Sequence, residues 1–457
     1  MSTSLPETAP EPSPPSATDA VAALVRRTMR LSLVEGSLMQ VFLNWTSGSV
    51  LVGYLLHLGA SPAHIALVGS VPFLAQMFSP LGAMAAEALG GRRALAALLG
   101  ATGRASWILA AFLPQLSLPD GLRPTLLVAL VFVASAFQAA TGTVWTAWMG
   151  DVVPEERRGR YFGMRTGILG AVGTVANLAA GAFLDRVGAP LSFQVVIGVA
   201  VAASFAAVVL YLFHYDPPSE KRRITLGKIL TLPYASVNFR RFLRFAVYWQ
   251  FVVMLGAPFV VPYFLEELRM TFTQVAYWSS LTALVALATT ILWGRVADRV
   301  GTKPVLMLGT FLAGALLPVN WILAGLTGNL GFVWLSGVLD AVAWGAITPA
   351  VFNLALGSAP RTGRVTFIAM YSLVQGLAGF AGGALSAPLI TFLHSIDYPA
   401  WMAGWTGYHT LFAMSGVGRM LAWTWLRPVE EERSWRTRDV LRAAGRGLWG
   451  GVGGGRG

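Results

Sequence analysis

Cysteine is absent from the 457 residues, so the chain can hold no disulfide, iron–sulfur cluster or thiolate zinc site, and cysteine usage says nothing about compartment. Charge is scarce as well. Asp, Glu, Lys and Arg make up 12% of the sequence, about half the roughly 25% of a soluble domain. So few charges cannot cover a water-exposed surface. With 55% hydrophobic residues the bulk of the chain is not disordered either. Lysine is nearly missing, three against thirty arginines. The phosphate-cradling pattern Gly-x-x-x-x-Gly-Lys-Ser/Thr does not occur, which removes ATP as the expected driving force. The five histidines, His57, His64, His214, His394 and His409, lie near the ends of apolar runs without metal-ligand spacing. The sequence therefore predicts neither an enzyme nor a metal or other cofactor.

Long apolar runs are what the sequence has in quantity. They fall at 31–57, 63–86, 94–113, 125–149, 161–184, 191–213, 243–265, 273–297, 304–325, 331–356, 365–392 and 406–426. Each is long enough to cross a hydrocarbon layer of about 30 Å as a helix. They are too long and too uniformly apolar for barrel strands. The expected fold is an all-α membrane protein of twelve transmembrane helices in two pseudo-symmetric six-helix bundles. The expected division is a disordered tail at 1–28, bundles at 29–213 and 243–427, a central loop at 214–242, and a flexible tail at 428–457.

The net charge of +12 could suggest nucleic acid, but its placement argues otherwise. Of the 33 basic residues, 28 fall in the two tails and the even-numbered loops, and only Arg123, Arg186 and Arg269 in the odd-numbered loops. This asymmetry places both termini in the cytoplasm. The basic charge then reports topology and contact with anionic lipid. Cysteines introduced at position 225 and in the 116–122 loop should label from opposite faces of sealed vesicles. Labelling of both from one face would refute the twelve-span topology.

The halves also echo each other. The stretch from Tyr54 to Ser70 parallels that from Tyr263 to Ser280. Glu87 to Arg93 parallels Asp298 to Pro304, and the run ending at Arg160 parallels the one ending at Arg364. Three matches in the same order point to a duplicated six-helix unit.

Between spans 8 and 9 stands Gly294-x-x-x-Asp298-Arg299-x-Gly301-x-Lys303. Gly294 allows close helix approach, Gly301 a tight turn, and Asp298 can accept from helix N-terminal N–H groups or an arginine. A degraded copy, Glu87-Ala88-Leu89-Gly90-Gly91-Arg92-Arg93, stands between spans 2 and 3. After span 4, Asp151-x-x-Pro154 precedes Arg157, Arg158, Gly159 and Arg160. On these motifs the chain resembles the major facilitator superfamily over about residues 30–427. The resemblance implies transport by alternating access around a central cavity lined by spans 1, 4, 7 and 10. It also implies a cytoplasmic latch built from Glu87, Gly90, Arg92, Arg93, Asp151, Arg158, Arg160, Gly294, Asp298, Arg299, Gly301, Lys303 and Arg364. In that latch Asp298 would face the start of span 5, and Glu87 the start of span 11.

Four charges fall inside spans: Glu35, Arg104, Asp340 and Arg419. A charge near the bilayer centre costs about 2.5–3.5 kcal/mol on insertion scales, which marks each as a functional candidate. Glu35 lies about one turn inside the membrane, and Arg419 is within reach of the cytoplasmic edge by snorkelling. Arg104 and Asp340 are deeper, and the sequence leaves open whether they pair. Helical spacing puts Gln40 and Asn44 on one stripe, Gln138 and Trp145 on another, and Asp340 and Trp344 on a third, with Gln250 offered by span 7. The substrate-cavity candidates are Gln40, Asn44, Arg104, Gln138, Trp145, Gln250, Asp340 and Trp344. The proton-coupling candidates are Asp340 and Glu35. The expected partners are a small-molecule substrate and the lipid bilayer, with no nucleic acid, for a monomer in a bacterial inner membrane. The alternative is a non-transporting sensor or assembly partner that keeps the fold.

Overall fold

The computed structural model describes residues 17–89, 91–119, 121–217, 234–359 and 364–431. The expected tails and central loop fall largely outside them, as does Gly90; the side chains of Glu87 and Arg364 are not described either.

The helices of the first half are α1 (Ala17–Trp45), α2 (Gly48–His57), α3 (Pro62–Ala75), α4 (Ser79–Leu89), α5 (Arg92–Phe112), α6 (Leu122–Val152), α7 (Glu155–Arg186) and α8 (Leu191–Tyr211). Those of the second half are α9 (Val237–Gly256), α10 (Phe272–Val300), α11 (Thr302–Thr327), α12 (Gly331–Ser358), α13 (Arg364–His394) and α14 (Gly407–Leu426). Their ends follow local chemistry. Ser61 and His64 form a capping box at the start of α3, and Thr271 and Gln274 form one at the start of α10. Pro154 ends the connection from α6 to α7, and Gly301, at φ +96°, makes the turn between α10 and α11.

Several boundaries differ from the sequence expectation. Helix α1 begins at Ala17, inside the stretch assigned to a disordered tail, because residues 17–30 hold four alanines and three arginines and continue without a breaker into the apolar run. The first span is then broken at Thr46–Ser47, where Gly48 takes φ +55°. Helix α9 begins at Val237, earlier than expected, because Ser236 caps it by accepting from the Phe239 amide at 3.3 Å. Among the described residues, ten helical stretches are long and apolar enough to cross a membrane. The segments 17–57 and 407–426 fall short, the first through its break and charged start, the second through Arg419 and its polar-tipped aromatics.

Helix packing repeats between the halves. In the first, α1 packs on α7 and α8, α3 and α4 pack on α6, and α5 packs on α6 and α8. In the second, α9 packs on α13 and α14, α10 on α12, and α11 on α12 and α14. The aligned tyrosines make the same bond in each half. Tyr54 donates to the Ala110 carbonyl at 2.7 Å, and Tyr263 to the Trp321 carbonyl at 2.8 Å. Both phenols are fully buried, so each needs that acceptor. Across the halves α3 packs on α13 and α7 on α10.

Candidate functional site

Five helices of the first half converge on Glu35. The carboxylate, 2% exposed, stands on α1. Tyr211 of α8 donates to its Oε1 at 3.2 Å, and Nη2 of Arg165 on α7 lies 3.6 Å from its Oε2. The Arg165 guanidinium sits 4.3 Å from the ring centre of Trp145 on α6, a cation–π contact. Arg104 of α5, also 2% exposed, is an electrostatic neighbour of both Glu35 and Tyr211. Its Nη2 lies 3.0 Å from the Met39 sulfur, while its Nε and Nη1 have no hydrogen-bond partner among the described residues. The Trp145 Nε1 is likewise without one at hydrogen-bond distance. Gly36 and Gly100 make the cluster possible, since a Cβ at either would overlap the guanidinium of Arg165 or Arg104. His214, just past α8, adds no third cation. Burial lowers its pKa, and its Nδ1 donates to the Leu210 carbonyl at 2.7 Å. The cluster thus sets two guanidiniums against one carboxylate, with several donors unspent.

The second half holds a separate pair. Arg419 of α14, 3% exposed, is the electrostatic neighbour of Asp340 on α12. Trp344, one turn along α12, stands on the same face as Asp340. The Trp344 ring lies 5.9 Å from that of Trp249 on α9. Nη1 and Nη2 of Arg419 reach the Ala313 and Val253 carbonyls at 3.5 and 3.4 Å. Arg104 and Asp340 thus have different charged neighbours. Arg104 serves Glu35, and Asp340 is served by Arg419, which is buried among α9, α11 and α12 and does not snorkel to the surface.

The remaining cavity candidates are spread more widely. Gln40 and Asn44 lie against Gly173 of α7, their amide nitrogens 3.1 and 3.0 Å from where a Cβ on that glycine would stand. The Asn44 amide donates to the Gln40 carbonyl at 2.8 Å. Gln138 is half-buried on α6. Gln250 is buried and accepts from Gln375 at 3.1 Å, which ties α9 to α13.

At the arginine-rich end, the latch residues are engaged mostly within their own half. Asp151 pairs with Arg92 at 2.6 Å, and Arg158 donates to the Gly150 carbonyl at 2.7 Å and lies 3.7 Å from Glu155. Two acids that the sequence reading passed over cap helices in matching positions. Asp216, after α8, accepts from the Arg92 and Arg93 amides at 3.0 and 3.1 Å. Glu431, after α14, accepts from the Thr302 and Lys303 amides at 2.9 and 2.8 Å. The Lys303 ammonium donates to the Val429 and Arg427 carbonyls at 2.6 and 2.8 Å. Asp298 is exposed and has no ion pair among the described residues, so it does not engage the start of α7 here. Arg160 and Arg299 are exposed too.

The two halves meet at the opposite end. Asp185, near the end of α7, accepts from the Phe272 and Thr273 amides at 2.9 and 2.8 Å and so caps α10 of the other half. Gly181 lies against the same turn, 2.9 Å from the Phe272 carbonyl oxygen to a Cβ built on it. Ser70 of α3 fits against Gly383 of α13. Toward the arginine-rich end the glycines of α7 have no such neighbour among the described residues. A Cβ at Gly159, Gly163, Gly167 or Gly170 of α7, or at Gly294 of α10, would have nothing within 4 Å.

A sequence model described as Major Facilitator Superfamily matches residues 36–382 and, overlapping, 251–449. Among curated protein sequences none matches this one. Similar solved structures include a mutant of the nucleoside transporter NupG, at TM-score 0.68 and 15% identity, covering 87% of this chain and 99% of that one. The D-xylose–proton symporter matches at TM-score 0.66 and 16% identity, covering 90% and 98%. A bacterial homologue of the human lysosomal transporter Spinster, inward-facing and unoccupied, matches at TM-score 0.64 and 14% identity, covering 93% and 99%. At these identities the likeness is one of fold.

Proposed function

The chain belongs to the major facilitator superfamily, a family of multi-pass membrane transporters of small molecules, and we propose that it moves its solute by alternating access of two six-helix bundles, coupled to protons. The observation that carries the reading is the unequal contact between the halves. Asp185 and Gly181 join α7 to α10 at one end, and the glycines of α7 stand free at the other. If the basic end is cytoplasmic, as the arginine distribution indicates, this is the inward-open member of an alternating pair. The same distribution supports twelve spans with both termini inside; a bacterial inner membrane and a monomeric state are part of the same proposal.

Proton coupling falls to Glu35 and Asp340, intramembrane carboxylates each set against arginine. A carboxylate in that position can exchange its proton when substrate or a conformational change alters its distance from the cation. The symporter of similar fold uses protons with D-xylose. Asp340→Asn keeps the shape and removes the titrating group. Once a substrate is identified by thermal-shift screening, the variant should lose pH-gradient-driven transport while retaining substrate exchange. Wild-type coupling in the variant would remove Asp340 from the mechanism and leave Glu35 as the carrier.

The free Asp298 has a place in the other half of the cycle. In the outward-open state it would approach the start of α7 and its arginines. Asp298→Asn should therefore leave folding intact and move the resting population toward the inward-open state. A carboxylate acting at a helix N-terminus is worth about 0.3–2 kcal/mol, which changes a two-state ratio by up to about thirtyfold. Unchanged accessibility of cysteines placed along the inner half of α7 would count against this role.

A further inference from the structure

A recess opens on the surface of the second half. It measures about 810 Å³ and is bounded by α9, α13 and α14 near the basic end. On α9, Arg240, Arg244, Val247 and Phe251 follow one another at spacings of four, three and four residues, which places them on one face of the helix. That face points out of the bundle: Arg240, Arg244 and Val247 are exposed. Val374 of α13 and Trp425 of α14 complete the walls.

The recess is graded along its length. Its mouth carries two guanidiniums one turn apart. Neither Arg240 nor Arg244 has an ion pair among the described residues, whereas their neighbour Arg241 is paired with Glu430. Below the mouth the lining turns to Leu243, Val247, Phe251 and Val374, with no polar side chain. One wall is fixed. Trp425 stacks on Tyr248 with ring centres 5.5 Å apart, and the Tyr248 hydroxyl donates to the Gly418 carbonyl at 2.9 Å. The rings of Tyr234 and Trp425 are exposed at the recess, and tyrosine and tryptophan favour the membrane–water interface.

We propose that this recess is a binding site for an anionic phospholipid, with the phosphate and headgroup held by Arg240 and Arg244 and an acyl chain laid along Val247, Phe251 and Val374. Paired guanidiniums match the geometry and charge of a phosphodiester. The site's position at the basic end faces the leaflet that carries anionic lipid. The apolar lower part has no use for a free phosphate and suits a hydrocarbon tail. A zwitterionic lipid would supply the tail but cancel part of the charge. Bound lipid would bridge α9 to α13 and α14.

The test uses the full-length protein and native mass spectrometry after exchange into phosphatidylglycerol or phosphatidylcholine of the same chains. Phosphatidylglycerol should be retained on the protein at least about tenfold better, and R240Q/R244Q should lose about that factor, since each basic residue near an anionic surface contributes a several-fold preference. Val374→Trp fills the apolar part and should reduce retention of phosphatidylglycerol while leaving both arginines in place. Equal retention of the two lipids, or full retention of phosphatidylglycerol by R240Q/R244Q, would overturn the proposal. So would displacement of the lipid by inorganic phosphate together with unaltered binding in Val374→Trp, because the recess would then recognise phosphate alone.

Discussion

Glu35→Gln is expected to cost about 3–5 kcal/mol, the penalty for breaking a buried ion pair and leaving its partner without a counter-charge. The partners here are Arg104, 2% exposed, and Arg165, 3.6 Å from the carboxylate. Glutamine would keep the bond from Tyr211, so the loss is one of charge and not of shape. At roughly 2–4 °C per kcal/mol for a unit the size of the first bundle, the melting temperature should fall by about 10 °C. The second substitution distinguishes this from simple mispacking. Arg104→Leu in the Glu35→Gln background removes the stranded cation and should regain much of the loss, although it is itself a change to a buried site. Thermal unfolding of the purified single and double variants measures both. A double variant as unstable as the sum of the singles would mean that Arg104 does not sense Glu35.

The second large effect is expected at Asp185. Its carboxylate takes two amide hydrogens from α10 at 2.9 and 2.8 Å, and it belongs to the other half of the chain. A cap of this kind is worth about 0.5–2 kcal/mol. It exists only while the halves are closed at that end. Asp185→Ala should therefore leave each half folded and shift the population toward the state open at the end opposite the arginines, by up to about thirtyfold. Cysteines placed on α7 near Gly181 should become reactive toward a membrane-impermeant thiol reagent from that side. Reactivity equal to that in the unaltered protein would show that the cap does not hold the halves together.

The two predictions also show where the sequence was readable. The apolar runs marked the helices, because a membrane-crossing helix must be apolar over its whole length. The alignment of Tyr54 with Tyr263 was readable because each fills the same bonding need, a buried hydroxyl reaching the third helix of its half. Arg104 and Asp340 were recognisable as costly, but their partners were not. Depth along a span says nothing about which neighbours it packs against, and α5 packs on α6 and α8, far from α12. Arg165 follows closely on the arginines at 157–160 in the sequence and looks like one of them, yet it stands on α7 and turns inward where Gly36 leaves room for it. Asp216, Glu431 and Asp185 carried a faint signal: each is an acid immediately beyond or at the end of a span. What they cap is a helix distant in the chain, and only the fold brings it near. Asp298 is recognisable from its motif, but a motif that works in one state is silent in another, and here the carboxylate is exposed with no ion pair among the described residues.

Alternating access is most directly tested by paired spin labels on the cysteine-free chain. One pair replaces Arg157 at the start of α7 and Arg295 near the end of α10, and reads the basic end. A second pair, on the loops that follow α7 and precede α10, reads the other. In lipid nanodiscs both pairs should report two distance populations, with the long distance at one end accompanying the short distance at the other, and Asp185→Ala should change their ratio in opposite senses. A single invariant distance at both ends, unmoved by Asp185→Ala and by the substrate found in the thermal-shift screen, would contradict a rocking of the two halves.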